Sequence, residues 1–176
     1  MTTILETERL ALRNWTDDDI APAHAMYRDP RVVRYLDYRV DATLDATRAR
    51  IDRRRRHQAE YGYTMWAVVE KATGELLGAC GLIHLDGCSE IEVGYHLAPH
   101  AWNRGIATEA ARACVRYGFR EARLDRIVAV TDPGNHASRR VLEKAGLTYL
   151  GMRYCYRSVT TNFLITADDA KSRGLD

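Results

Sequence analysis

The sequence predicts one mixed α/β (α+β) domain over residues 1–176, with a mostly antiparallel sheet of about seven strands and about four flanking helices. Three observations lead there. The composition, 46% apolar and 28% charged over 176 residues, suits a single folded core. The periodicities alternate in the order β-α-α-β-β-β-α-β-α-β-β. A strand–helix–strand unit in the second half implies a right-handed crossover. The meander before it makes the sheet mixed and excludes a regular doubly wound fold.

The elements follow in chain order. "RLALRNW" alternates as a half-buried strand. Thr16 stands as N-cap before "DDDI", whose carboxylates suit a helix start. That helix ends at Asp29-Pro30, because the residue before proline disfavours helical backbone. "RVVRYL" is a short helical piece. Asp41 is the expected cap of a longer helix that closes near Gly62. "TMWAVVE" and "ELLGACGLIHL" are strands, joined by "KATG" with Gly74 in the turn. "IEVGYHLA" is a strand stopped by Pro99. The helix "TEAARACVRYGFREA" is expected from near Thr108. It buries Ala110, Ala111, Cys114, Val115, Gly118 and Phe119, with Arg112, Arg116 and Arg120 on its other face. "RIVAVT" is a buried strand, "NHASRRVLEKAG" a helix terminated by Gly146, and "LTYLGMRYCYR" and "VTTNFLIT" are the last two strands.

Charge and cysteines narrow the function. The net charge is +2, so no global field draws the chain to nucleic acid or membrane. No apolar run approaches the roughly 20 residues of a bilayer span, and the start lacks the pattern of a signal peptide. A cytoplasmic protein is expected. Cys80, Cys88, Cys114 and Cys155 form no C-x-x-C pair, so free thiols and no metal are expected. Four consecutive arginines, Arg53 to Arg56, spread around a helix without an aromatic platform, which favours a solvated helix over a nucleic-acid stripe.

"AWNRGIATEA" carries more information. A strand ends at Pro99 and a helix follows. Gly105 and Ala107 leave room beside the backbone, Arg104 adds a cation, and the helix start adds unsatisfied N–H groups and partial positive charge. This fits an anion site. A plain strand-to-helix turn fits as well, and the loop alone does not choose.

The wider pattern chooses. "TERLALRNWTDDD", "DPRVVRYL", "EIEVGYHLAPHAWNRGIATEAARA" and "DRIVAVTDPGNHASRRVLEKAGL", with the closing strands, resemble the GNAT acyl-CoA-dependent N-acetyltransferases over nearly the whole chain. Within them, the pattern looks like the RimJ/RimL branch of ribosomal-protein-alanine acetyltransferases. In this branch the first position of the superfamily's Q/R-x-x-G-x-G/A loop is commonly degenerate, and here it is Trp102. The resemblance implies acetyl-CoA as cofactor and a splayed pair formed by the fourth and fifth strands. Asn103, Arg104, Gly105, Ile106, Ala107 and Thr108 would take the diphosphate. The main chain of Tyr95, His96 and Leu97 would take the pantetheine, with Gly94 suited to a bulge, and Asn135 would reach the same arm.

Acetyl transfer needs an amine freed of its proton, a stabilised thioester oxygen and a stabilised leaving thiolate. An α-amine is favoured over a lysine by about 3 kcal/mol in deprotonation at neutral pH. Glu92 is the first candidate base. Glu90 lies on the same face by alternation, and His96 and His84 are further candidates. Ser138, one turn after Asn135, is the candidate thiolate partner. Many relatives carry a tyrosine acid at the position held here by Leu142. Leu97 N–H would polarise the carbonyl. Tyr35, Tyr38 and Trp66 line an acceptor pocket or pack in the core. The expected function is acetyl transfer to a primary amine, a protein N-terminus or a small molecule, by direct attack in a ternary complex. The rival is a non-catalytic acyl-CoA-binding module. The expected partner is the amine acceptor, not membrane or nucleic acid. A homodimer is left open.

Overall fold

The computed structural model describes residues 2–36, 40–86 and 88–175. Its strands are β1 (Thr3–Glu6), β2 (Leu10–Arg13), β3 (Met65–Glu70), β4 (Leu76–His84), β5 (Ile91–Leu97), β6 (Arg126–Thr131), β7 (Thr148–Cys155) and β8 (Ser158–Thr166). Its helices are α1 (Ile20–Tyr27), α2 (Pro30–Val33), α3 (Leu44–Tyr61), α4 (Ile106–Arg120), α5 (His136–Lys144) and α6 (Ala167–Ser172). The eight strands form one sheet in the order β1-β2-β3-β4-β5-β6-β8-β7. Only β5 and β6 run parallel; every other neighbouring pair is antiparallel.

Each face of the sheet has its own core. One joins Trp66, Leu82, Val93 and Phe163 to α4, α5 and α6 through Ala110, Cys114, Leu142 and Ala170. The other packs Trp15, Met65 and Ala79 against α1 and α3 through Met26, Tyr27 and Ile51. The six residues expected on the buried face of α4 are all buried. Gly118 lets α4 lie close to β6, since a Cβ there would meet Ile127 Cδ1 at 2.6 Å. Pro30 ends α1 and opens α2 as its first helical residue, as the proline rule requires.

Several expectations need correction. The sheet has eight strands, because β1 pairs with β2 through a register break. Its four residues are too few to show a period. A helix beyond those expected, α6, follows β8 and is opened by a capping box of Thr166 and Asp169. Thr43, not Asp41, caps α3. Asp41 instead accepts a bidentate pair from Arg50, at 2.6 and 3.0 Å, and a bond from Thr47. The arginine run is not simply solvated. Arg54 is 7% exposed, stacks over Trp15 and Tyr27, and donates to Tyr27 Oη at 2.6 Å. Its planar cation matches aromatic faces and so tolerates burial. Gly94 makes no bulge, for β4 and β5 stay in register throughout; the irregularity lies on the other edge of β4, between Leu76 and Gly78.

Candidate active site

The loop before α4 is built from alternating backbone hands. Asn103 has φ 59° and Gly105 φ 77°, with Arg104 on the ordinary side between them. Such alternation curls successive N–H groups into a concave nest. Helix α4 begins at Ile106, two residues before the expected Thr108, with Gly105 as its N-cap. The first intrahelical bond is Glu109 N–H to Gly105 C=O. The N–H groups of Ile106, Ala107 and Thr108 therefore stand at the open helix end. The Arg104 side chain is not a mobile cation, since it is ion-paired with Glu70 of β3. Arg9, absent from the sequence-based set, lies against the same loop. It donates to Arg104 C=O at 2.9 Å and pairs with Glu109 at 2.6 Å. These features fit a diphosphate carried by main-chain donors.

The splay is equally concrete. β5 and β6 share a single pairing, Glu92 with Val128. Ala98 N–H bonds Leu77 C=O on β4. In an antiparallel ladder this phase turns the main chain of His96 and Gly94 to β4, and that of Leu97 and Tyr95 toward the gap beside β6. His96 main chain thus belongs to the sheet. Leu97 C=O accepts from Trp102 Nε1 at 2.8 Å, leaving Leu97 N–H directed into the gap. A pantetheine arm fits beside Tyr95 and Leu97. Asn135 caps α5 through Oδ1, which accepts Ser138 N–H at 3.1 Å, so its amide Nδ2 is what can reach the arm.

Side chains of β5 separate the two faces. Glu92 and His96 leave toward α1 and α3, Tyr95 toward α5. Glu90 and Glu92, equivalent by alternation, differ sharply here. Glu90 precedes the strand and pairs with Arg153 at 2.8 Å. Glu92 is 7% exposed and accepts from Tyr156 Oη at 2.5 Å. Burial pushes its carboxyl up to about 7, opposed by the Tyr156 bond. Burial, helped by the nearby Arg54 and Arg50, holds the His96 imidazole well below its usual range, and the ring meets Tyr27 Oη through Nδ1 at 3.3 Å. A neutral, weakly basic ring makes a poor competitor to Glu92. His84 leaves the sheet one residue out of step and is bonded to His57 at 3.1 Å.

On the other face, Tyr95 Oη lies 2.8 Å from Ser138 Oγ and 3.0 Å from Ser138 C=O. Burial pushes this phenol above its usual range, so it keeps its proton. That proton serves either the carbonyl or the hydroxyl; in the second case Ser138 is free to donate onward. Leu142 is 2% exposed within the core and offers no polar group. Trp66 is fully buried and belongs to the core. Tyr35 is exposed and borders Gly134, while Tyr38 lies outside the described residues.

A sheet splayed at one parallel pair, with an anion nest on the following helix, suits an extended phosphate-bearing cofactor laid into the gap. The acetyltransferase (GNAT) domain profile matches residues 9–148. YkkB of Bacillus subtilis (strain 168) is 39% identical over 150 residues, covering 84% of this chain and 86% of YkkB. The N-acetyltransferase YoaA of the same organism is 32% identical over 160 residues, covering 89% and 90%. Among solved structures, a GNAT-family acetyltransferase of Bacillus anthracis superposes with a TM-score of 0.81 at 26% identity, covering 93% and 98%. The ribosomal-protein-S5-alanine acetyltransferase of Vibrio fischeri shares the fold, with a TM-score of 0.78 at 19% identity over 96% and 98%. The chain belongs to the GNAT acetyltransferase family, and it is an N-acetyltransferase.

Proposed function

We propose that the protein moves an acetyl group from acetyl-CoA to a primary amine by direct attack in a ternary complex. The acceptor is a protein N-terminal α-amine, as in the RimJ/RimL branch, or a small-molecule amine. The observation that carries this reading is a carboxyl buried beside the only β5–β6 pairing, on the face opposite Ser138. Bound acetyl-CoA supplies the activated thioester. Glu92 takes the proton of the amine, and a base balanced near neutrality suits an α-amine, whose usual value is near ~8. Leu97 N–H, directed into the gap, stabilises the developing negative oxygen. Ser138 donates a hydrogen bond to the departing sulfur, Tyr95 donates one to Ser138 Oγ and keeps its proton, and the proton shed by the nitrogen as the C–N bond forms goes to the thiolate as the C–S bond breaks. The nest at residues 103–108 holds the diphosphate.

The name of the Vibrio fischeri neighbour makes peptides beginning with alanine the first acceptors to try. A thiol-release assay over N-terminal peptides and small amines tests the proposal. Acceptor-dependent release that Glu92→Gln suppresses is the expected result. Binding of acetyl-CoA with no release for any amine would favour a binding module instead.

A further inference from the structure

The turn between β7 and β8 is energetically odd. Its two central residues, Tyr156 and Arg157, have φ 50° and 60°, and the closing pair is Cys155 with Ser158. A two-residue turn with both φ values positive favours Asn-Gly, because bulkier side chains pay a steric cost there. Asp86, in the loop after β4, is a third non-glycine with positive φ, at 42°. The two loops are joined reciprocally. Asp86 Oδ2 accepts Tyr156 N–H at 2.8 Å, and Asp86 N–H donates to Tyr156 Oη at 3.2 Å. The phenol oxygen is thus occupied as an acceptor, and its proton points to Glu92 Oε1 at 2.5 Å. Left-handed backbone at Asp86 and Tyr156, which are bonded to each other and through the phenol to Glu92, points to function rather than to folding.

We propose that Tyr156 is the positioning residue of the base: its phenol anchors Glu92 Oε1 and leaves Oε2 as the atom that takes the proton of the acceptor amine. This rests on Glu92 as base. In the step, an N–H bond of the amine breaks and an O–H bond forms at Oε2. The nitrogen keeps the electron pair with which it attacks, and Tyr156 keeps its own proton throughout. The phenol donor also favours the ionised carboxylate against the pull of burial. The other groups facing Glu92 act in both senses. Asp86 opposes ionisation and Arg153, itself paired with Glu90, supports it. Cys155, pushed up to about 11, stays neutral.

The test is direct titration of Glu92 by carboxyl NMR in protein labelled at the glutamate side chain, with Glu92→Gln assigning the signal. Acetyl-transfer rates against pH accompany it. In Tyr156→Phe the Glu92 midpoint rises by about one to two pH units. The acidic limb of kcat moves with it, so activity near pH 7 falls about tenfold or more and recovers at alkaline pH. A merely structural role would not move the midpoint. Tyr156→Asn with Arg157→Gly, which suits the turn's backbone, removes the phenol without disturbing the hairpin and should reproduce the shift. An unmoved midpoint in both variants overturns the proposal, and leaves Glu92 as base if Glu92→Gln still erases the limb. A moved midpoint with an unmoved limb overturns Glu92 as base and the catalytic role of Tyr156 with it.

Discussion

The two ends of the candidate site are built by different means. The end proposed for the diphosphate is one continuous stretch, residues 103–108, whose main-chain N–H groups are set by the backbone hands of Asn103 and Gly105. The end proposed for the acceptor is assembled from β5, the β4–β5 loop and the β7–β8 turn, and the groups proposed to work there are the side chains of Glu92 and Tyr156. The first should tolerate change in side chains and fail when its backbone or its charge is altered. The second should be sensitive to single atoms, because burial sets the protonation of Glu92 against one opposing bond from Tyr156. Substitutions should therefore separate cleanly into those that change affinity for acetyl-CoA and those that change kcat and its pH profile.

The strongest test of that separation is Glu92→Gln. Loss of a general base lowers kcat by about 10²- to 10⁴-fold. Acetyl-CoA affinity, measured by calorimetry, should stay within about twofold; a large loss of affinity would merge the two ends. The converse is Gly105→Glu. A carboxylate beside the nest repels the diphosphate, and the L-residue strains φ 77°. Like charges in contact cost several kcal/mol, so binding should weaken about 100-fold or more with the far-UV spectrum unchanged.

Glu92→Gln also carries a stability signature that no substitution in the nest should share. The Glu92 carboxyl is raised to about 7 in the folded protein, against an ordinary value of 4.5. A raised folded value means that its contribution to stability is present in full below pH 4.5 and is lost as pH rises through about 7. Glutamine does not titrate and still accepts from Tyr156. The variant should gain stability over the parent between those limits, reaching about 3 kcal/mol above pH 7. Urea unfolding at pH 4 and pH 8 reads this, and an equal difference at both would show that Glu92 is not held above its usual range.

Ser138→Ala sharpens the comparison where the ends meet. A bond to a developing thiolate is worth about 1.5–3 kcal/mol, so kcat should fall roughly 10- to 150-fold with KM for acetyl-CoA nearly steady. Tyr95→Phe removes only a neutral bond and should cost about two- to tenfold. A larger loss in Tyr95→Phe than in Ser138→Ala would make the phenol the donor. The introduction of tyrosine at Leu142 should not rescue either variant, since that site is 2% exposed in a packed core. The smallest effect is expected of Arg157→Gly. Relief of one left-handed residue is worth about 1 kcal/mol, which in a domain of this size raises Tm by about 2–4 °C. Activity should persist, since Tyr156 remains.

The sequence by itself determined what neighbouring residues decide. The apolar spacing on α4, the proline that parts α1 from α2, the chain reversal at Gly62 and the strand-to-helix turn at Gly105 all follow from backbone sterics and helical period, which act over a few residues. Tertiary structure decided what depends on distant partners. Alternation left Glu90 and Glu92 equivalent; Arg153 and Tyr156, more than sixty residues away, made one an ion pair and the other a buried acid. Arg54 reads as one of four solvated cations until Trp15 and Tyr27 stack on it. The Tyr156 turn was hidden because it breaks the Asn-Gly rule by which hairpins are recognised, and the loop joined to it explains why. A pKa, a desolvated charge and a strained turn are properties of surroundings, and those surroundings exist only once the chain has brought its remote segments together.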